Sequence, residues 1–291
     1  MKTPADKEQT TPAHIRNAMT IDVEDYFQVS AFASHIPRDS WPSQSCRVER
    51  NIDRILAMLD ENGVKATFFT LGWIAERYPA MVRLIIDNGH ELASHGYNHL
   101  RASDQSPDEF LDDITRSKKL LEDIGGQAVI GYRAPSFSIG TRNLWALDTL
   151  QEAGYRYSSS IYPIHHDHYG MPDAPRFKFH PLGPNGLVEL PATTVKLFGH
   201  NLPASGGGYF RLLPYGLSRW LMKRVNHTDL QPCVFYFHPW EIDPGQPRQK
   251  NVSLKTRFRH YVNLSRTEPR IRALLRDFQW GRMDHIFMRE D

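Results

Sequence analysis

The stretch RNIDRILAMLDENGVKATFFT, Arg50 to Thr70, contains one copy of the pattern that organises the whole chain. Ile52, Ile55, Leu56 and Leu59 form a single stripe at helical spacing over Arg50–Glu61, and Val64–Thr70 follows as a short apolar run of strand length. A strand at Met19–Val23 precedes this unit. Beyond it, the strands His90–Ser94, Val129–Arg133, Arg156–Ser160, Val188–Pro191, Cys233–His238 and His285–Met288 are interleaved with helices over Ala80–Asn88, Thr141–Ala153, Pro214–Val225 and Glu268–Phe278. A further helix starts at Ser106, where Ser-Pro-Asp-Glu places a cap, a first-turn proline and a reciprocal glutamate ahead of Phe110, Leu111, Ile114 and Leu121. Strand–helix–strand repeated this often predicts an α/β fold with a parallel sheet, closed into a (β/α) barrel. In such barrels the reacting groups gather at the C-terminal ends of the strands.

Three segments at those ends carry chemistry: Asp22-Val23-Glu24-Asp25, His95-Gly96-Tyr97-Asn98-His99 and Phe237-His238-Pro239-Trp240. Two histidines four apart and one carboxylate make a three-ligand metal site with a position open for water. A second carboxylate can take a proton from that water, and a separate histidine can give one to a leaving group. Residues two apart on a strand share a face, so Asp22 and Glu24 are both expected at the mouth, whereas Asp25 would reach a metal only from the following turn. Glu24 is therefore taken as the ligand beside His95 and His99, with Asp25 as the alternative. Zinc suits two imidazoles and a carboxylate, and cobalt, nickel or ferrous iron would be tolerated. Pro135 holds Ala134 extended and carries the chain off the rim after Arg133. His238 emerges from the buried run Val234-Phe235-Tyr236-Phe237.

Composition narrows the function classes. The chain has 291 residues, 40% of them hydrophobic, which fits one soluble domain. Its 35 basic and 33 acidic residues leave a formal charge of +2, so charge gives no argument for a nucleic-acid partner. Cys46 and Cys233 are too few for a disulfide framework and are expected as reduced thiols. Met1–Asn17 is polar and reads as a disordered tail, no apolar run is long enough to span a membrane, and the cytoplasm is the expected location. Ile161–Gly186 and Thr193–Leu213, rich in Pro, Gly and aromatics, are expected to be walls or lids.

The segments Thr20–Asp25, Ser94–His99, Arg133–Phe137 and Phe237-His238 resemble, in order and spacing, those of the polysaccharide deacetylases with a NodB homology domain, carbohydrate esterase family 4. The resemblance implies a distorted (β/α)7-8 barrel over residues 18–241, with 242–291 as a C-terminal extension packed on the same domain, as in a subgroup encoded with exopolysaccharide biosynthesis genes of the exosortase type. It implies metal-dependent N-deacetylation of N-acetylated amino sugars in an exopolysaccharide or its lipid-linked precursor, and an association with a membrane polysaccharide-synthesis complex. Asp22 would be the general base, Arg133 the residue that holds it ionised and aimed, and His238 the general acid, with Pro135, Phe137 and Trp240 against the sugar. A solvated rim arginine is the alternative for Arg133. The chain departs from the family at Ser158, where many relatives have the aspartate that supports the catalytic histidine; Asp167, in His165-His166-Asp167-His168, is the substitute considered. Two other functions stay open: a non-catalytic glycan-binding subunit, and a hydrolase of another amide such as a cyclic ureide. The basic stretch Val252–Arg266, with Lys255, Arg257 and Arg259, faces an anionic glycan, a pyrophosphate or water.

Overall fold

The computed structural model of the chain describes residues 15–166 and 169–288. Its strands are β1 (Arg16–Val23), β2 (Thr67–Thr70), β3 (Glu91–Ser94), β4 (Gly131–Tyr132), β5 (Tyr157–Ser158), β6 (Val188–Glu189), β7 (Thr194–Leu197), β8 (His200–Pro203), β9 (Val234–Phe237) and β10 (Gln279–Gly281). Its helices are α1 (Val48–Asp60), α2 (Gly72–Arg77), α3 (Pro79–Asp87), α4 (Pro107–Gly125), α5 (Trp145–Glu152), α6 (Gly207–Leu212), α7 (Tyr215–Arg224), α8 (Leu254–Tyr261), α9 (Leu264–Asp277) and α10 (Met283–Phe287).

The main sheet runs β10-β1-β2-β3-β4-β5-β6, with β9 also on β1, and every pairing in it is parallel. Helices such as α1, α3 and α4 cover its outer face, each through a buried apolar stripe. Ile52, Ile55, Leu56 and Leu59 of α1 are all buried, and Ser106 and Glu109 form a complete capping box at the start of α4. The sheet curls into the distorted barrel expected, with a seam where β6 and β9 do not pair with each other. Ser205 and Gly206 bridge that seam: Tyr236 N–H donates to the Ser205 carbonyl at 2.7 Å, and Gly206 pairs with Tyr236. Only glycine fits there, because a Cβ on Gly206 would lie 1.9 Å from the Tyr236 carbonyl oxygen and the residue has φ +127°.

Several sequence expectations need correction. The last strand is Gln279–Gly281, paired with Arg16–Ala18, and the expected strand His285–Met288 falls mostly on α10. Arg16 and Asn17, read as part of a tail, begin β1; residues 1–14 of that tail lie outside the described residues. Thr193–Leu213 contains the antiparallel hairpin β7–β8 and helix α6 rather than unbroken loop.

The register of the sheet fixes where the chemistry gathers. Val23, Thr70, Ser94, Tyr132 and Ser158 form one row across β1 to β5, so Glu24, His95, Arg133 and Ser159 leave the sheet at the same level. Ile21 pairs with Phe237, which brings His238 beside Asp22.

Candidate functional site

At the C-terminal mouth, Glu24, His95 and His99 are the one group of three metal-competent side chains found among the described residues, with their ligand atoms all within 4.8 Å of one another. Each is held by a local device. β1 stops at Val23 and Glu24 N–H turns back onto the Asp22 carbonyl at 3.0 Å, so Glu24 reaches the mouth from a tight turn rather than by strand alternation. The loop from His95 to His99 is pinned by Asp113 of α4, which accepts from Tyr97 N–H at 3.1 Å. Gly96, at φ +76°, passes over that carboxylate so closely that a Cβ would lie 2.8 Å from its oxygen. His99 itself has φ +51°, a conformation non-glycine residues rarely adopt and one that tends to accompany function.

The donor set fits a divalent cation. His95 Nδ1 lies 2.8 Å from the Arg133 carbonyl, so that nitrogen carries the proton and Nε2 is left as the ligand atom. Burial pushes the His95 pKa down to about 4 against the pull of Asp22, which keeps the imidazole neutral. Burial works to raise Glu24, but His99, His238 and His95 outweigh it and hold the carboxyl well below its usual range. Glu24 Oε2 is 2.7 Å from His99 Nε2, yet it is buried without a hydrogen bond of good geometry. A buried anionic oxygen facing two imidazoles in that state is what a bound cation would satisfy.

Asp25 does not take part. Its carboxylate accepts from Tyr26 N–H at 2.8 Å, Arg47 N–H at 2.5 Å and Val48 N–H at 2.9 Å, and from the Cys46 thiol. It therefore closes the N-terminus of α1 from across the turn, where a negative charge is favoured by the helix dipole.

Asp22 and Arg133 form a desolvated pair. Arg133 is fully buried, and its Nη1 donates to Asp22 Oδ1 at 2.6 Å and to Thr20 Oγ1 at 2.7 Å. Nε and Nη2 donate to the Ser159 carbonyl and hydroxyl, and the guanidinium lies 4.1 Å from the Phe69 ring centre. The reading of Arg133 as a solvated rim residue is thereby excluded.

His238 points Nε2 into the mouth, 3.5 Å from Glu24 Oε1 and 3.9 Å from Asp22 Oδ2. Its other nitrogen, Nδ1, sits 2.5 Å from Glu241 Oε1. Burial lowers the His238 pKa, but Glu24, Glu241 and Asp22 together raise it to about 9. Glu241 is itself buried, and Arg211 Nε donates to its second oxygen at 2.8 Å. Burial acts to raise Glu241, while Arg211 and His238 outweigh it and keep it ionised. This carboxylate was missed in the sequence. The signal was the His-Pro-Trp-Glu spacing, since the short helical turn Pro239–Ile242 brings residue 241 back over 238.

Ser158, where the resemblance led us to look for a carboxylate, is fully buried and donates to the Ser160 hydroxyl at 2.8 Å, which in turn accepts from Ala134 N–H. Asp167 lies outside the described residues. The three residues expected against the sugar are all buried. Pro135 is buried and Phe137 packs on Tyr162 and Tyr236. Trp240, 5% exposed, stacks between His238 and His260 and donates to Glu24 Oε1 at 3.1 Å. None of the three offers an open ring face, and Trp240 instead orients the carboxylate of the triad.

Comparison with known proteins gives similarity to polysaccharide deacetylases in part of the chain and in fold. A family model described as polysaccharide deacetylase covers residues 39–158, and one described as a domain of unknown function, DUF3473, covers 159–288. The peptidoglycan deacetylase of Helicobacter pylori is 31% identical over 121 residues, 41% of this chain and 39% of that protein. A peptidoglycan-N-acetylglucosamine deacetylase of Bacillus cereus is 34% identical over 113 residues, 35% of this chain and 41% of that protein. The alignments thus span well under half the length of these two relatives. A Mycobacterium smegmatis crystal structure named as that of a "putative polysaccharide deacetylase" shares the fold, with a TM-score of 0.54 at 21% identity, over 91% of this chain and 94% of that one. The second matched segment is no separate body: its β6, β9 and β10 belong to the same sheet, and it supplies Arg211, His238 and Glu241 to the mouth.

Proposed function

We propose that the chain, whose residues 39–158 match a family model described as polysaccharide deacetylase, removes N-acetyl groups hydrolytically from amino sugars of a bacterial exopolysaccharide or its lipid-linked precursor. The observation that carries this reading is the meeting of three units in one mouth: the Glu24/His95/His99 triad, the Asp22–Arg133 pair and the His238–Glu241 pair.

Glu24, His95 and His99 would hold a divalent ion, zinc first by donor type, whose chemistry when bound is to acidify water and polarise a carbonyl. Asp22, aimed by Arg133, takes the proton from the attacking water. His238 gives a proton from Nε2 to the departing amine, while Glu241 fixes Nδ1 as the other protonated nitrogen and stabilises the imidazolium. Within Ala134–Ser136, Pro135 has no N–H and that of Ala134 is taken by Ser160, so Ser136 is the backbone donor left for the oxyanion. Ser136 and Phe137 both have positive φ, which supports a strained, functional turn there.

The free thiols Cys46 and Cys233 support action in the cytoplasm. A non-catalytic glycan-binding subunit would have no use for a buried acid–carboxylate pair pointed at the triad, and a cyclic ureide hydrolase can dispense with the two histidines. Incubation with N-acetylated oligosaccharides and lipid-linked precursors tests the proposal: acetate and free amine should appear in equal amounts, and binding without acetate release would overturn it.

A further inference from the structure

The sequence from Pro244 to Thr267 contains Arg248, Lys250, Lys255, Arg257, Arg259 and Arg266 and not one acidic residue, although the whole chain carries only +2. All six are exposed. The middle of this stretch is α8, whose two faces differ sharply. His260 is buried, bonds through Nε2 to Gln246 at 2.7 Å and stacks on Trp240 with ring centres 4.3 Å apart. The opposite face presents Leu254, 80% exposed, and Phe258, 59% exposed, one turn later. At about 100° per residue, Lys255 and Arg259 flank this pair on one side and Arg257 on the other.

We propose that this face of α8 docks on an anionic lipid bilayer. Large apolar side chains projecting outward inside a ring of Lys and Arg are the pattern of a helix lying in a headgroup interface, with the apolar pair entering the acyl boundary and the cations meeting lipid phosphates. A soluble anionic glycan would engage the cations but has no use for Leu254 and Phe258. A second copy of the chain would set one basic face against another. Among the described residues no helix is long and apolar enough to cross a membrane, so the contact is peripheral. The helix is joined to the mouth through His260, which stacks on Trp240, which in turn stacks on His238. The docking itself is independent of the reaction proposed above, whereas its use, delivery of a lipid-linked glycan to that mouth, rests on that reading.

Sedimentation of the full chain with phosphatidylcholine vesicles, with and without about one third phosphatidylglycerol, tests the docking without any deacetylase assay. The chain should pellet with the anionic vesicles, lose that binding as salt is raised, and stay in solution with the zwitterionic ones. Leu254→Gln with Phe258→Gln should weaken binding on the order of tenfold or more at constant charge. Lys255→Gln with Arg257→Gln and Arg259→Gln should weaken it on the order of a hundredfold. Failure to bind anionic vesicles overturns the proposal. So does undiminished binding of the Leu254/Phe258 variant, which would identify a patch for soluble polyanions instead.

Discussion

Replacing Glu241 by glutamine keeps the volume and one hydrogen bond to His238 but removes the charge. In the wild type the 2.5 Å contact joins an ionised carboxylate to an imidazolium whose pKa is raised to about 9. Of the other two close carboxylates, Glu24 is directed at the histidines of the triad and Asp22 at Arg133, so Glu241 is the negative group dedicated to His238. A hydrogen bond to a charged group is worth about 1.5–3 kcal/mol, and about 1.4 kcal/mol corresponds to one pKa unit, so the substitution should lower the His238 pKa by roughly one to two units. A general acid acts while protonated, and its contribution is lost as pH rises through its pKa. The alkaline limb of kcat/KM, followed by acetate release, should therefore move down by about that amount. Arg211 is left as a buried charge without its carboxylate, and a destabilisation of about 3–5 kcal/mol should appear independently in thermal melts. An alkaline limb that stays in place in a folded Glu241→Gln enzyme would refute the assignment of Glu241 as the partner of the acid.

The remaining predictions address the other units of the mouth. His95→Ala and His99→Ala should each empty the chain of bound metal, as read by elemental analysis, and Glu24→Gln should weaken binding strongly. Asp25→Asn should leave metal content unchanged while lowering stability by about 1–2 kcal/mol in denaturant titrations, because it loosens the start of α1. Asp22→Asn should retain metal but reduce turnover on the order of a hundredfold or more in steady-state kinetics. Ser158→Asp should not shift the alkaline limb, since the place of the carboxylate is already filled by Glu241, and it should lower the melting temperature by forcing a charge into a fully buried position.

The alternation of helices and strands was legible because α1, α3 and α4 each bury a regular apolar stripe and the short strands β1, β2, β3 and β9 are buried almost throughout, with Phe68-Phe69 and Val234–Phe237 as their clearest apolar runs. The C-terminal strand was not. Gln279–Gly281 is held to β1 over three residues by its neighbours rather than by any pattern of its own, while the more apolar His-Ile-Phe-Met run drew the assignment to what is largely α10. The long stretch after β6 hid the hairpin β7–β8 because polar Lys196 and His200 and apolar Leu202 all face outward and its tip exposes Phe198, which leaves no clean alternation. Within the site, the residues that lead off strand ends could be read from spacing. What could not be read were interactions that depend on how turns close. Asp25 and Glu24 are adjacent carboxylates, and only the path of the chain into α1 sends one to a helix terminus and the other to the histidines. Glu241 lies three residues from His238, but only the closing of the turn Pro239–Ile242 makes it the partner, whereas the resemblance places that carboxylate on another strand.

Bound metal and released acetate measured on the same preparations of the wild-type chain and the His95→Ala/His99→Ala variant test the central claim most directly. The wild type should hold about one divalent ion per chain and liberate acetate from an N-acetylated amino-sugar oligomer, and the variant should lose both together. Acetate release that persists in a metal-free double variant, or a wild type that binds metal and glycan but liberates no acetate, would contradict it.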